Sequence, residues 1–164
     1  MTSLTPIRSF FGTALASIVF ALAAPAVAQE LSFGLTTDLD RGDFGGVVEF
    51  HGPPVFGDRR GLSGSWGVAA RSDLQGNAWV GAGFVLDAAI GDSGFVEASF
   101  MPGYYWAGDT DLGHNLQFRS LIGFGWNIAP GRAVILSLDH ISNAGIDINN
   151  PGAETVALRY RMSF

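Results

Sequence analysis

The stretch "LQFRSLIGFGW" (Leu116–Trp126) alternates along most of its length. Phe118, Ile122, Phe124 and Trp126 fall on one side, and Gln117, Arg119, Gly123 and Gly125 on the other. A period of two marks an extended strand, because successive side chains point to opposite faces. The make-up of the two faces decides the fold. A soluble sandwich buries its bulky face and spreads Lys, Glu and Thr over the other. Here the second face carries two glycines, a glutamine and an isolated charge. Small residues and single charges suit the crowded lumen of a narrow closed barrel whose bulky face meets lipid.

The same pattern extends in both directions. Toward the N-terminus it is carried by residues 31–39, 44–51, 62–71, 78–90 and 95–106, and toward the C-terminus by 133–142 and 155–164. Leu31, Phe33, Leu35 and Leu39 open the series against Ser32, Gly34, Thr36 and Asp38, and Val156, Leu158, Tyr160, Met162 and Phe164 close it against Ala157, Arg159, Arg161 and Ser163. Eight strands result, each close to the ~9–11 residues that cross a bilayer. Trp66, Tyr104, Trp106, Trp126 and Tyr160 cluster toward strand ends, like interfacial girdles. The expected fold is all-β: an eight-stranded antiparallel transmembrane β-barrel of the outer membrane.

The remaining composition agrees. At 164 residues the chain is expected to hold one domain. Its first segment reads as a leader: Arg8, an apolar run from Phe10 to about Ala24, then Ala26-Val27-Ala28 as a cleavage site. The expected division is a signal peptide over 1–28 and a barrel over 29–164. There is no Cys, so disulfides and thiolate metal sites are excluded. The basic residues are all Arg and the net charge is −6, which argues against nucleic acid as a partner.

Tight turns at 91–94 and 127–132 alternate with longer connections at 72–77, 107–115 and 143–153. Short turns face the periplasm in such barrels and longer loops face outward. The connection Gly52–Gly61 is long for a periplasmic turn, and the pattern gives it no role. Glu49, Asp87, Glu97 and Asp139 share the inward face with Arg119, Arg159 and Arg161, as expected of a lumen that pairs its own charges. His51 lies on that face as a structural residue. His114 falls in an exposed loop with no evident partner.

One patch breaks the rule. His140 and Ser142 continue the outward parity of Val134, Leu136 and Leu138, and Glu154 shares the parity of Val156 and Leu158. Residues two apart on a strand share a face, roughly 6.5–7 Å apart. Antiparallel pairing of the last two strands brings His140 and Glu154 to the same height. A hydroxyl nucleophile needs an adjacent base, and the base needs a third group to orient it. The chemistry favoured is ester hydrolysis. The other reading, polar residues solvated at headgroup level, stays open on parity alone.

The stretch "HISNAGIDINNPGAE" (His140–Glu154) resembles the signature of the PagL family of outer-membrane lipid A 3-O-deacylases: His-x-Ser-Asn-Ala-Gly, a spacer, then Asn-Pro-Gly-x-Glu. The resemblance implies Ser142 as nucleophile, His140 as general base and then acid, and Glu154 as its orienter. Asn143 and the backbone amide of Gly145, just after the nucleophile, are candidate oxyanion-hole donors. Pro151 and Gly152 would shape the loop that presents Glu154. The implied partner is lipid A or lipopolysaccharide, met laterally in the outer leaflet, with no cofactor and no metal. A homodimer is left open. The rival functions are an outer-membrane phospholipase and a non-catalytic structural or adhesive barrel.

Overall fold

The structure, a computed structural model, describes residues 29–57 and 61–164; the leader expected over 1–28 lies outside them. Eight strands follow in order: β1 (Glu30–Asp38), β2 (Phe44–Gly57), β3 (Leu62–Asp73), β4 (Ala78–Ile90), β5 (Gly94–Trp106), β6 (Leu116–Ala129), β7 (Arg132–Ser142) and β8 (Ala153–Ser163). Each pairs antiparallel with its neighbour, and β1 pairs with β8 from Glu30↔Ser163 to Asp38↔Thr155, which closes the barrel. Closure leaves no strand edge unpaired in lipid, as a membrane-spanning sheet requires.

The outward face is as the alternation predicts. Leu35, Trp66, Ile122, Leu136 and Leu158 are exposed, while Glu49, Glu97, Arg119, Asp139 and Arg159 are buried. Inside, Arg119 Nη1 meets Glu49 Oε1 at 2.6 Å and its Nε meets Asp139 Oδ2 at 3.1 Å. Arg159 bridges Glu49 (3.0 Å) and Glu97 (2.6 Å), and Arg161 bridges Glu97, Asp87 and Glu30. Arg71 adds a 2.7 Å contact to Asp139. Such a mesh stabilises little over an apolar core, yet losing one partner strands a buried charge at a cost of about 3–5 kcal/mol.

Two expectations need correction. The inward face is not only small and charged: Trp79, Met101, Tyr105, Phe95 and Ile135 also point inward and are buried. The inward glycines are their complement. A Cβ on Gly103 would stand 2.5 Å from Trp79 Cε2, and one on Gly125 would overlap the Phe95 ring. Glycine on this face therefore marks where a large neighbour lies flat. Second, most of the Gly52–Gly61 connection is strand. β2 runs on to Gly57, with register shifts between His51 and Pro54 and between Pro54 and Phe56. Prolines lack the ladder donor and are tolerated at such irregularities. Phe56 then stacks on Phe84 with ring centroids 6.1 Å apart.

His114 does have a partner: its Nδ1 accepts the Leu116 N–H at 2.9 Å, closing the turn into β6.

Candidate active site

β7 rises to the outer rim at Ser142 and β8 leaves it at Ala153. Their register pairs His140 with Glu154. The alternating pattern leaves both on the outward face, and His140 Nδ1 lies 2.7 Å from Glu154 Oε1. The two side chains are 48% and 41% exposed. With Nδ1 bound to the carboxylate, Nε2 is left for a substrate or nucleophile, the arrangement a catalytic imidazole needs. Glu154 is anchored from behind: its carbonyl accepts the Leu39 N–H at 2.9 Å. Arg41 Nη2 donates to the Gly152 carbonyl at 3.4 Å. Gly152 has φ +71°, and a Cβ there would stand 3.0 Å from His140 Cε1, so this position keeps the imidazole's flank clear.

Ser142 ends β7 two residues above His140 and opposite Phe118 of β6. Among the described residues no hydrogen bond joins Ser142 Oγ to His140. The histidine and glutamate are locked together, and the serine shares their face without yet being engaged. Catalytic hydrogen bonds often tighten only when substrate is bound.

The two oxyanion candidates are occupied as the loop stands. Asn143 is fully buried. Its Nδ2 donates to the carbonyls of Leu112 (3.1 Å) and Asn149 (2.8 Å). Its Oδ1 accepts the Gly145 N–H at 2.9 Å, which engages that amide too. Both groups therefore brace the loop. Two other donors were not singled out in the sequence. Asn150 accepts the Asn143 N–H through Oδ1 (2.9 Å), and its Nδ2 makes no hydrogen bond among the described residues. Ala144, the one non-glycine with positive φ among them (55°), has an equally unengaged N–H. Asn150 was visible in the "NNPG" run; nothing local marks Ala144.

Glu30, His51 and Asp87 converge near the periplasmic mouth, close enough for one cation. Arg161 Nη1 already sits 3.1 Å from Glu30 and 3.2 Å from Asp87, so a guanidinium supplies the positive charge there.

A closed eight-stranded outer-membrane barrel whose lumen is plugged by ion pairs, with serine, histidine and glutamate grouped on its outer wall, defines the class: a small barrel with a lipid-facing polar site rather than a pore. Comparison with known proteins narrows it. The family model described as lipid A 3-O-deacylase (PagL) matches residues 45–163, well over half the chain. The chain belongs to that family. It is similar to the lipid A deacylase PagL of Bordetella bronchiseptica, 36% identical over 86 residues, 52% of this chain and 44% of that protein. It also resembles the lipid A deacylase PagL of Pseudomonas aeruginosa, 40% identical over 55 residues, 34% of this chain and 32% of the relative. The matched stretches thus span less than half the length of these relatives. Among solved structures, that of the outer membrane enzyme PagL superposes with a TM-score of 0.65 at 26% identity, covering 82% of this chain and 98% of the other. A homodimer is not needed to gather the three residues, since all come from one chain.

Proposed function

We propose that the protein is a lipid A 3-O-deacylase, a serine esterase that removes the 3-O-linked 3-hydroxyacyl chain of lipid A in the outer leaflet. The observation that carries this reading is the 2.7 Å contact between His140 Nδ1 and Glu154 Oε1 on the lipid-facing wall, with Ser142 on the same face. Family membership and the names of the relatives support the substrate.

In the proposed mechanism Ser142 Oγ attacks the ester carbonyl while His140 Nε2 accepts its proton. Glu154 holds the ring's tautomer and offsets the imidazolium charge. The tetrahedral oxyanion needs preorganised donors. The unengaged Ala144 N–H and Asn150 Nδ2 are the free candidates in the loop, with Asn143 and Gly145 available only if their present bonds are exchanged. Collapse breaks the C–O bond to the sugar, and His140 returns the proton to the departing 3-hydroxyl. Water, deprotonated by the same imidazole, then cleaves the acyl-enzyme. It releases the 3-hydroxy fatty acid and restores Ser142. A site on the outer wall suits a substrate that arrives sideways within the leaflet.

The test is the mass spectrum of lipid A from a Gram-negative host expressing either the wild type or Ser142→Ala at matched membrane levels. Loss of one 3-hydroxyacyl group only with the wild type is expected. Unchanged lipid A in both, with glycerophospholipid hydrolysis by purified barrel, would instead establish the phospholipase. Inertness toward both lipids would leave a non-catalytic barrel.

A further inference from the structure

The loop between β5 and β6, residues 107–115, carries none of the three candidate catalytic residues and no recognisable signature. Its contacts nonetheless lead to the loop after Ser142. On one side it docks on the β3–β4 connection. Buried Asn77 accepts the N–H groups of Gly108 (2.8 Å) and Thr110 (3.1 Å), and Asp109 donates to the Gln75 carbonyl at 3.3 Å. From within the lumen, Tyr105 donates its hydroxyl to the Thr110 carbonyl at 2.9 Å, and Gln117 Nε2 reaches the carbonyls of Leu112 (3.2 Å) and His114 (2.6 Å). Leu112 is buried in one cluster with Trp79, Ile141 and Ala153. Ile141 and Ala153 are the neighbours, in β7 and β8, of His140 and Glu154.

On its other side this braced loop presents two groups to the loop that follows the nucleophile. The Leu112 carbonyl accepts Asn143 Nδ2 at 3.1 Å. Gly113, at φ +85°, lies flat against the backbone of Asn149: a Cβ there would overlap the Asn149 carbonyl oxygen and stand 3.1 Å from Asn143 Nδ2. The Gly113 N–H is turned to Asp111 Oδ1 at 2.8 Å, which fixes the bend. Asn143 directly follows Ser142, and Asn149 directly precedes Asn150. The contact therefore grips both stems of the segment that bears the serine and the unengaged donors.

We propose that Gly113, with the Leu112 carbonyl, is a positioning residue of the deacylase site: it sets the height of the 143–150 segment so that Ser142, the Ala144 amide and Asn150 converge on one carbonyl. This rests on the proposed esterase reading. Gly113 acts through Asn143 and Asn149 and does not touch the reacting atoms. Its absent side chain is what the docking requires, by both backbone conformation and space.

The experiment uses the whole protein refolded in detergent, with lipid A as substrate, comparing wild type, Gly113→Ala, Asn77→Ala, Gly91→Ala and Ser142→Ala. Gly91 shares the positive φ (+61°) with open space around it, in the turn at the far end of the barrel. Gly113→Ala is expected to lower kcat roughly 10²-fold, the scale for a misplacement of about 1 Å, with KM and thermal unfolding close to wild type. Cleavage at Asp147 by an Asp-specific protease should rise at the same time. Gly91→Ala should match wild type in kcat, KM and protease resistance, with only the small loss of stability that alanine at a positive φ carries. Asn77→Ala, which loosens the same loop without adding volume, should fall between and decides the matter if Gly113→Ala does not assemble. Wild-type kcat and unchanged protease resistance in Gly113→Ala, or in Asn77→Ala where that variant decides, while Ser142→Ala is inactive, would overturn the positioning role. Equal activity in Ser142→Ala and wild type would overturn the esterase reading instead, and the protease readout would still judge the docking.

Discussion

The barrel holds two histidine–carboxylate pairs in opposite settings. His51 lies 3.3 Å from Glu49 and 3.5 Å from Glu30, with the His51 and Glu49 side chains 2% and 0% exposed. His140 lies 2.7 Å from Glu154, with both side chains more than 40% exposed. The difference lies in who else claims the carboxylate. Glu49 is also held by Arg119 and Arg159, and Glu30 by Arg161, so the inner pair is one link in a charge-balanced mesh. Glu154 has no arginine among the described residues and serves the imidazole alone. Placement finishes the contrast. His51 faces a packed lumen, whereas His140 faces lipid with a serine two residues further along its own strand. Residue type alone does not separate the two histidines; an undivided partner and an open face make His140 the candidate.

That contrast can be broken at its outer end first. Ser142→Ala should lower deacylation by roughly 10³-fold or more and leave barrel stability unchanged, as judged by lipid A hydrolysis beside thermal unfolding. Glu154→Gln should follow at roughly 10²-fold, because the amide no longer favours the imidazolium while water reaches part of the vacated role. The inner end should respond in the opposite currency. Glu97→Ala leaves Arg159 and Arg161 without their shared carboxylate and should cost about 3–5 kcal/mol in urea unfolding, with turnover of the folded fraction retained. The mildest change sharpens the comparison. Gly152→Ala adds a methyl against His140 at a positive φ and should lower kcat about tenfold, or ~1.4 kcal/mol in the barrier. Abolished turnover in folded Glu97→Ala would show that the lumen mesh and the outer pair are not separable.

Most of the strand plan was legible because alternation and the chemistry of the faces agree along the chain. It failed at two kinds of place. At Pro53 and Pro54 two prolines read as a turn, yet β2 continues through them, since its partners tolerate missing donors at register shifts. At Trp79 and Phe95 a large inward ring was hidden by the glycines that accommodate it from neighbouring strands, a complementarity that no single strand displays. At the site, His140 and Glu154 were legible because strand parity and a hairpin register suffice to join them. The oxyanion candidates were less so: Asn143 follows the serine in sequence, but its amide faces inward to Leu112, which lies 31 residues earlier.

The sequence by itself determined the barrel and its outward face, and set serine, histidine and glutamate on one side of it as candidates, because a period of two converts position directly into side and height. Only the tertiary structure decided which groups are already spent. The engagement of Asn143 and Gly145, the freedom of Ala144 and Asn150, and the grip of Gly113 on Asn149 arise where separate loops meet. Hydrogen bonds between distant segments depend on closure of the whole sheet, and no local pattern encodes them.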